Sequence, residues 1–170
     1  MTEYQKLVPS DFVDAVQFKA TMRCFASSVT VITSGTGSAT NGMTATAICS
    51  VSAEPPCILV VINSSNRTHA LIERTGAFAV NLLSESQVPL ARHFASKPLV
   101  ALREVAHRAG VTGVPILDGS AAHVECMVSS QTRSGTHSVF FGRVVLAQAG
   151  VDRPLLHWHG QFTGLGGEEF

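Results

Sequence analysis

Residues 121–147 constrain the fold more than any other part of the chain. Two extended stretches, 121–132 and 137–147, flank Arg133, Ser134, Gly135 and Thr136. Glycine and small polar residues suit a tight reversal, so the chain is expected to double back as a long antiparallel hairpin. Shorter extended segments fill much of the rest. The β-branched run Val29, Thr30, Val31, Ile32 and Thr33 precedes a flexible turn at 34–38, and residues 43–51 resume a strand pattern, giving a second hairpin. Residues 58–63 and 77–83 read as further strands, and 154–158 with 161–165 as a closing pair. Helices are expected in three places: from Asp11, where Phe12, Val16, Phe18, Met22 and Phe25 recur at helical spacing behind a cap at Ser10 or Asp11; at 67–74, ended by Gly76; and at 86–94, capped by Ser84. Residues 96–113 are irregular and read as a surface excursion. Many short strands with a few outer helices indicate a mainly β chain forming a closed or split barrel, not a parallel βαβ sheet.

A length of 170 residues supports one full core, so residues 1–170 are read as a single domain. Twelve basic residues balance twelve acidic ones, which lacks the basic footprint of a nucleic-acid binder. Charged residues are few and the mean hydropathy is positive. A small chain of that kind is expected to bury apolar surface in a homo-oligomer. The longest apolar run, 57–62, is far shorter than the roughly 20 residues of a membrane span. The first residues lack the pattern of a secretory signal. Cys24, Cys49, Cys57 and Cys126 are irregularly spaced among apolar neighbours, and read as reduced core cysteines of a cytoplasmic protein.

The stretch 41–56 carries the clearest chemical signal. Thr44, Thr46, Ser50 and Ser52 alternate with apolar or small residues before Pro55 and Pro56. Small hydroxyl side chains donate hydrogen bonds without bulk, which suits a flat, phosphate-bearing ligand and equally suits an ordinary edge strand. No Gly-x-Gly-x-x-Gly turn joins a strand to a helix, so a Rossmann phosphate site is not expected. Ser64, Ser65, Asn66, Arg67 and Thr68 combine a guanidinium, hydroxyls and the start of an expected helix. Free N–H groups there favour an anion, although a plain capping loop would look the same. His157 and His159 flank Trp158 without further ligand types at metal-binding spacing, and His69, His93, His107 and His123 lack ligand spacing, so no metal site is expected.

In order and spacing, several pieces of the chain together resemble the flavin reductase-like, FMN-binding split-barrel family, short-chain reductases that serve two-component monooxygenases. They are Met22, Arg23, Cys24 and Phe25; Gly42 to Thr46; Ser50 to Ser52; Pro55 and Pro56; Gly76 to Leu83; Leu90 to Phe94; Gly113 to Leu117; Ala122 to Cys126; Gly135, Thr136 and His137; and Pro154 with Leu155. Two positions depart from the family pattern. Thr136 stands where many relatives carry aspartate, and Ser28 precedes Val29 where they often carry glycine.

The resemblance implies a split-barrel homodimer with flavin in a groove partly formed by the second subunit. It places Thr44, Ala45 and Thr46 along the isoalloxazine and ribityl groups, and Ser50, Val51 and Ser52 on the chain and phosphate. Ser65, Asn66, Arg67 and Thr68 would complete a phosphate cradle, Asn81 and Leu82 would offer backbone polar groups, and Phe94 would pack near the cofactor. His137 would lie on the nicotinamide side; on its residue type alone it could equally be a strand-end histidine bonded to backbone. The implied activity is hydride transfer from NADH or NADPH to FMN or FAD, with reduced flavin diffusing to a separate flavin-dependent monooxygenase. The alternatives are a split-barrel oxidoreductase that retains FMN, and a non-catalytic flavin- or haem-binding module.

Overall fold

The computed structural model describes residues 12–96 and 102–166. Its strands are β1 (Ser27–Ser28), β2 (Thr30–Thr36), β3 (Ala39–Ala45), β4 (Ile48–Ala53), β5 (Pro56–Asn63), β6 (Ala77–Leu82), β7 (His107–Ala109), β8 (Pro115–Leu117), β9 (Ala122–Ser134), β10 (His137–Ala149), β11 (Leu156–Trp158) and β12 (Gln161–Thr163). Helices α1 (Ala15–Met22), α2 (Arg67–Thr75) and α3 (Val88–Ser96) interrupt them. Seven strands form one antiparallel sheet in the order β3-β2-β6-β9-β10-β5-β4.

The two end strands of that sheet, β3 and β4, are consecutive in the chain yet are not ladder partners; only Thr46 and Ala47 join them. Ile32, Ala45, Val60, Ile62, Phe78, Val80, Cys126 and Phe140 nevertheless share one core. Side chains from both ends of a sheet can meet only if the sheet curls on itself, which gives a barrel split between β3 and β4. Burial of each large apolar side chain contributes about 1.5–3 kcal/mol. Gly142 keeps this interior closed: a Cβ there would stand 2.5 Å from Cζ of Phe78 and 2.7 Å from Cβ of Cys126.

Strand β2 is buried on both faces. Ile32 points into the barrel, while Val29 and Val31 meet Leu83, Ala91, Phe94, Leu102, Leu117 and Leu155 in a second core outside it, partly roofed by α3. Its hydroxyls are satisfied: Thr30 Oγ1 donates to the Ala45 carbonyl at 2.7 Å and Ser34 Oγ to the Ala77 carbonyl at 2.7 Å. Helix α2 begins at an Asn66 cap, ends at Gly76 with φ 67°, and buries Thr68, His69, Leu71 and Ile72. It straps several strands together. Asn41 of β3 donates to Thr68 Oγ1 at 3.0 Å, Ser34 of β2 lies 3.2 Å from Thr75 Oγ1, and His69 Nε2 lies 2.8 Å from Ser138 Oγ on β10.

Several expectations need correction. The strand expected over 43–51 breaks at Thr46, where the chain leaves its pairing with β2 and takes up β5. Ser34, Gly35 and Thr36, expected as turn, belong to β2, leaving Gly37 and Ser38 to reverse the chain. The irregular segment is not wholly superficial, since Leu102 is fully buried and β7 pairs with β8; residues 97–101 lie outside the described residues. The first helix is shorter than expected and is capped by Asp14, with Ser10 and Asp11 outside the described residues. None of its residues is buried. Of the cysteines, all free, Cys126 is buried and Cys57 half-buried, but Cys24 and Cys49 are exposed. Cys49 follows inward-packing Ile48 on an end strand, so alternation turns it outward. Among the described residues no helix is long and apolar enough to cross a membrane.

Candidate functional site

The end of β5 and the start of α2 form a shaped loop. Asn63 Oδ1 accepts from the Ser65 backbone N–H at 2.9 Å and from Ser65 Oγ at 2.8 Å, an Asx turn that directs the chain into the helix. Asn66 Oδ1 then caps the Thr68 N–H at 2.8 Å. The four expected cradle residues therefore divide. Arg67 and Ser65 are exposed, whereas the Asn66 carboxamide is committed to the cap and Thr68 is buried with its hydroxyl on Asn41. Ser65 has given both its N–H and its hydroxyl hydrogen to Asn63, and the Thr68 and His69 N–H groups bond to Asn66, so anion-holding capacity rests with Arg67 at the helix start. Ser64 Oγ is buried without a hydrogen-bond partner, an atom that an added acceptor or donor would satisfy.

The hairpin turn lies against this loop. Ser64 N–H donates to the Thr136 carbonyl at 2.9 Å, and His137 is the ladder partner of Asn63. His137 is exposed, and its Nδ1 lies 2.9 Å from Thr136 Oγ1, so an uncharged hydroxyl holds the ring where a carboxylate was the family expectation. Thr46 completes the group. The next carbonyl, that of Ala47, accepts from Val61 N–H at 3.1 Å, two residues before Asn63. Ala45 is buried in the barrel core; Thr44, half-buried beside it, donates to the Ala91 carbonyl of α3 at 2.7 Å. Thr46 is exposed at the split.

Other expected residues lie elsewhere. Ser50 pairs with Ile58 and Ser52 with Cys57, at the far end of β5 from Asn63. At ~3.3 Å per residue that separation is about 17–20 Å, so Ser50, Val51 and Ser52 cannot share one phosphate with Arg67 of the same chain. Asn81 is fully buried. Its Nδ2 donates to the Val31 carbonyl at 3.0 Å and Thr33 Oγ1 at 3.1 Å, and its Oδ1 accepts from Leu117 N–H at 2.8 Å, which makes it a clamp between β2 and β8. The Leu82 carbonyl accepts from Ala121 N–H at 2.8 Å. Both lie on β6 between β2 and β9, where their backbone groups serve the two ladders. Phe94 is buried behind β3, where a Cβ on Gly42 would stand 3.0 Å from its ring, so it braces the Thr44 strand from the side of α3.

Sequence reasoning missed Asn63 and Asn41, whose carboxamides shape and anchor the cradle, and His93, whose Nε2 is buried without a partner beside Phe94. Paired asparagines around two serines were the available signal for the first. Two perturbed groups lie away from the loop. Burial, reinforced by the positive charge of Arg108, lowers the pKa of His123, and burial pushes the Cys126 thiol up to about 12.

A curled antiparallel sheet left open between consecutive strands, with a helix strapped across it, defines a split-barrel protein. The chain belongs to the flavin reductase like domain family, which residues 22–166 match. It is 34% identical over 159 residues to the reductase subunit HsaB of a flavin-dependent monooxygenase from Rhodococcus jostii, covering 93% of this chain and 82% of that protein. It is 36% identical over 130 residues to the FMN reductase (NADH) RutF of Stutzerimonas stutzeri, covering 75% of each. The NADH:FAD oxidoreductase SgcE6 of Streptomyces globisporus, solved in complex with NAD and FAD fragments, matches with a TM-score of 0.85 and 32% identity over 95% of this chain and 98% of that one.

Proposed function

We propose that the protein is an NAD(P)H-dependent flavin reductase that passes a hydride from NADH or NADPH to FMN or FAD and releases reduced flavin to a separate flavin-dependent monooxygenase. The observation that carries this reading is the adjacency of Arg67's loop and His137, tied by the Ser64 N–H to Thr136 carbonyl bond. That adjacency sets an anion-holding helix start beside a histidine that can face a second ligand. The nicotinamide and the flavin supply the hydride donor and acceptor between them, so the chain's residues bind, orient and exclude water. Arg67 and the α2 N-terminus hold the phosphate, Thr44 and Thr46 flank the ring system with small side chains, and His137 orients the nicotinamide.

The working unit is a homodimer of single-domain subunits in the cytoplasm, with the groove completed by the second copy. Support comes from apolar side chains left in solvent around α1, including Val16 at 79% exposed, Phe12 and Phe25 each at 61%, and Phe18 at 55%. A second copy is also what could bring Ser50 and Ser52 to a flavin held by Arg67, since one chain keeps them apart.

Anaerobic mixing with FMN or FAD and NADH or NADPH, followed at the flavin absorbance band, tests the activity and both preferences. Arg67→Ala should weaken flavin binding roughly ten- to hundredfold, as expected for a lost charge-assisted hydrogen bond. His137→Ala should raise the nicotinamide KM and leave flavin affinity nearly unchanged. Failure of any flavin to bleach with either nicotinamide would sink the reading.

A further inference from the structure

A closed ring of polar contacts lies behind the exposed loop. His69, 6% exposed and in the first turn of α2, places Nε2 at 2.8 Å from Ser138 Oγ, while its Nδ1 faces Glu73 Oε2 at 3.5 Å. Gln131 Nε2 closes the circuit, donating to Ser138 Oγ at 3.2 Å and to Glu73 Oε1 at 3.0 Å. Both amide hydrogens of Gln131 are used within the ring, and each imidazole nitrogen of His69 faces an oxygen, Ser138 Oγ on one side and Glu73 Oε2 on the other. The ring also packs edge-on against Phe140 of the core, with centroids 5.1 Å apart.

The placement of the ring gives it a use. Ser138 is the chain neighbour of His137, and His69 stands two residues after Arg67. We propose that His69 is a positioning residue that locks the Arg67-bearing helix start to the His137-bearing strand, so that the anion-holding group and the nicotinamide-orienting group keep one fixed relation. This inference rests on the functional reading of Arg67 and His137 given above. The backbone bond from Ser64 to Thr136 joins loop to turn, and Thr68 and Thr75 tie α2 to β3 and β2. His69 and Glu73, one turn apart, add a tie to the hairpin that carries His137, because together they grip β10 through Ser138 and β9 through Gln131.

The test compares His69→Leu, His69→Gln and Gln131→Ala with Arg67→Ala and His137→Ala, reading flavin Kd, nicotinamide KM and kcat on variants whose folded state is confirmed by circular dichroism. His69→Leu should raise flavin Kd and nicotinamide KM together, each about tenfold. His69→Gln, whose Oε1 can accept from Ser138 and whose Nε2 can donate to Glu73, should return both to within about twofold of the wild type. Gln131 is exposed, so Gln131→Ala should fold and shift both constants in the same direction, by about threefold. A glutamine variant no better than leucine would mean that His69 only fills space, and overturns the proposal. So would unchanged constants in Gln131→Ala, even were His69→Leu not to fold. If Arg67→Ala and His137→Ala themselves leave their constants unchanged, the reading of the site fails first and this inference falls with it; if they move theirs while the His69 and Gln131 variants do not, only the inference falls.

Discussion

Helices α1 and α2 are of similar length and both are expected from the sequence, α1 from periodic apolar residues and α2 as a short helix ended by Gly76, yet they meet opposite fates. Helix α2 places Leu71 and Ile72 against the barrel, is capped at both ends, and hydrogen-bonds to β2, β3 and β10. Helix α1 has an equally good cap, Asp14 accepting from Val16 and Gln17 N–H at 2.8 Å each, but buries no residue. Capping fixes where a helix starts, while burial decides whether it contributes to the fold. An apolar helix that buries none of its own residues is the surface the proposed second copy would cover.

The largest expected effect would break this contrast if it failed. Ile72→Ala should cost about 2–5 kcal/mol in urea unfolding, whereas Val16→Ala should leave the unfolding of dilute monomer within about 0.5 kcal/mol. Next, Phe18→Asp should weaken self-association by about 2 kcal/mol, roughly thirtyfold, in sedimentation equilibrium without altering the subunit's circular dichroism. Similar sedimentation of variant and wild type would show that α1 is not the covered face. Smaller again is the cap comparison. Asn66→Ala should lower stability by about 1 kcal/mol, and Asp14→Ala should fray α1 with almost no change in the global midpoint.

Thiol chemistry sharpens the same contrast without changing stability. Cys24, just beyond α1, should react with an aromatic disulfide reagent in dilute monomer and be protected on association, while Cys126 stays inert at pH 8 because burial pushes its thiol up to about 12. The smallest effect concerns pH. His123 is neutral in the fold because its pKa is lowered from 6.5, so the unfolded chain takes up a proton first and stability declines as pH falls below about 6.5. His123→Gln should flatten that decline, by no more than about 1.4 kcal/mol per pH unit. An unaltered slope would show that other groups set it.

What could be read beforehand depended on whether the cause was local. The hairpin of β9 and β10 was legible because Gly135 and its polar neighbours encode the reversal, and α2 because Asn66 and Gly76 bracket it. The break at Thr46 was not, since residues on both sides suit a strand and the interruption comes from a change of ladder partner. Asn81 enters only through the resemblance, as a backbone group near the flavin, and nothing local announces the part its side chain plays. Only the tertiary fold brings Val31, Thr33 and Leu117 to its carboxamide. Likewise the hydroxyls of 44–52 looked like one surface in sequence. Register along β5 divides them, leaving Thr46 at the split and Ser50 and Ser52 at its other end.

Strand β4 ends the main sheet and presents an unpaired edge to solvent, with exposed residues along almost its whole length. Such an edge is ordinarily an invitation to strands of unrelated chains, and hence to aggregation. The register shift between Ser50 and Ser52 spoils its straightness, and Ser52 Oγ folds back to accept the Glu54 N–H at 3.1 Å. Pro55 and Pro56 then withhold two N–H groups where a foreign strand would need donors. The irregularity that interrupts the ladder thus also serves as a stopper. In a chain with few charges, that denies a foreign strand the straight, donor-lined edge on which strand-by-strand growth depends.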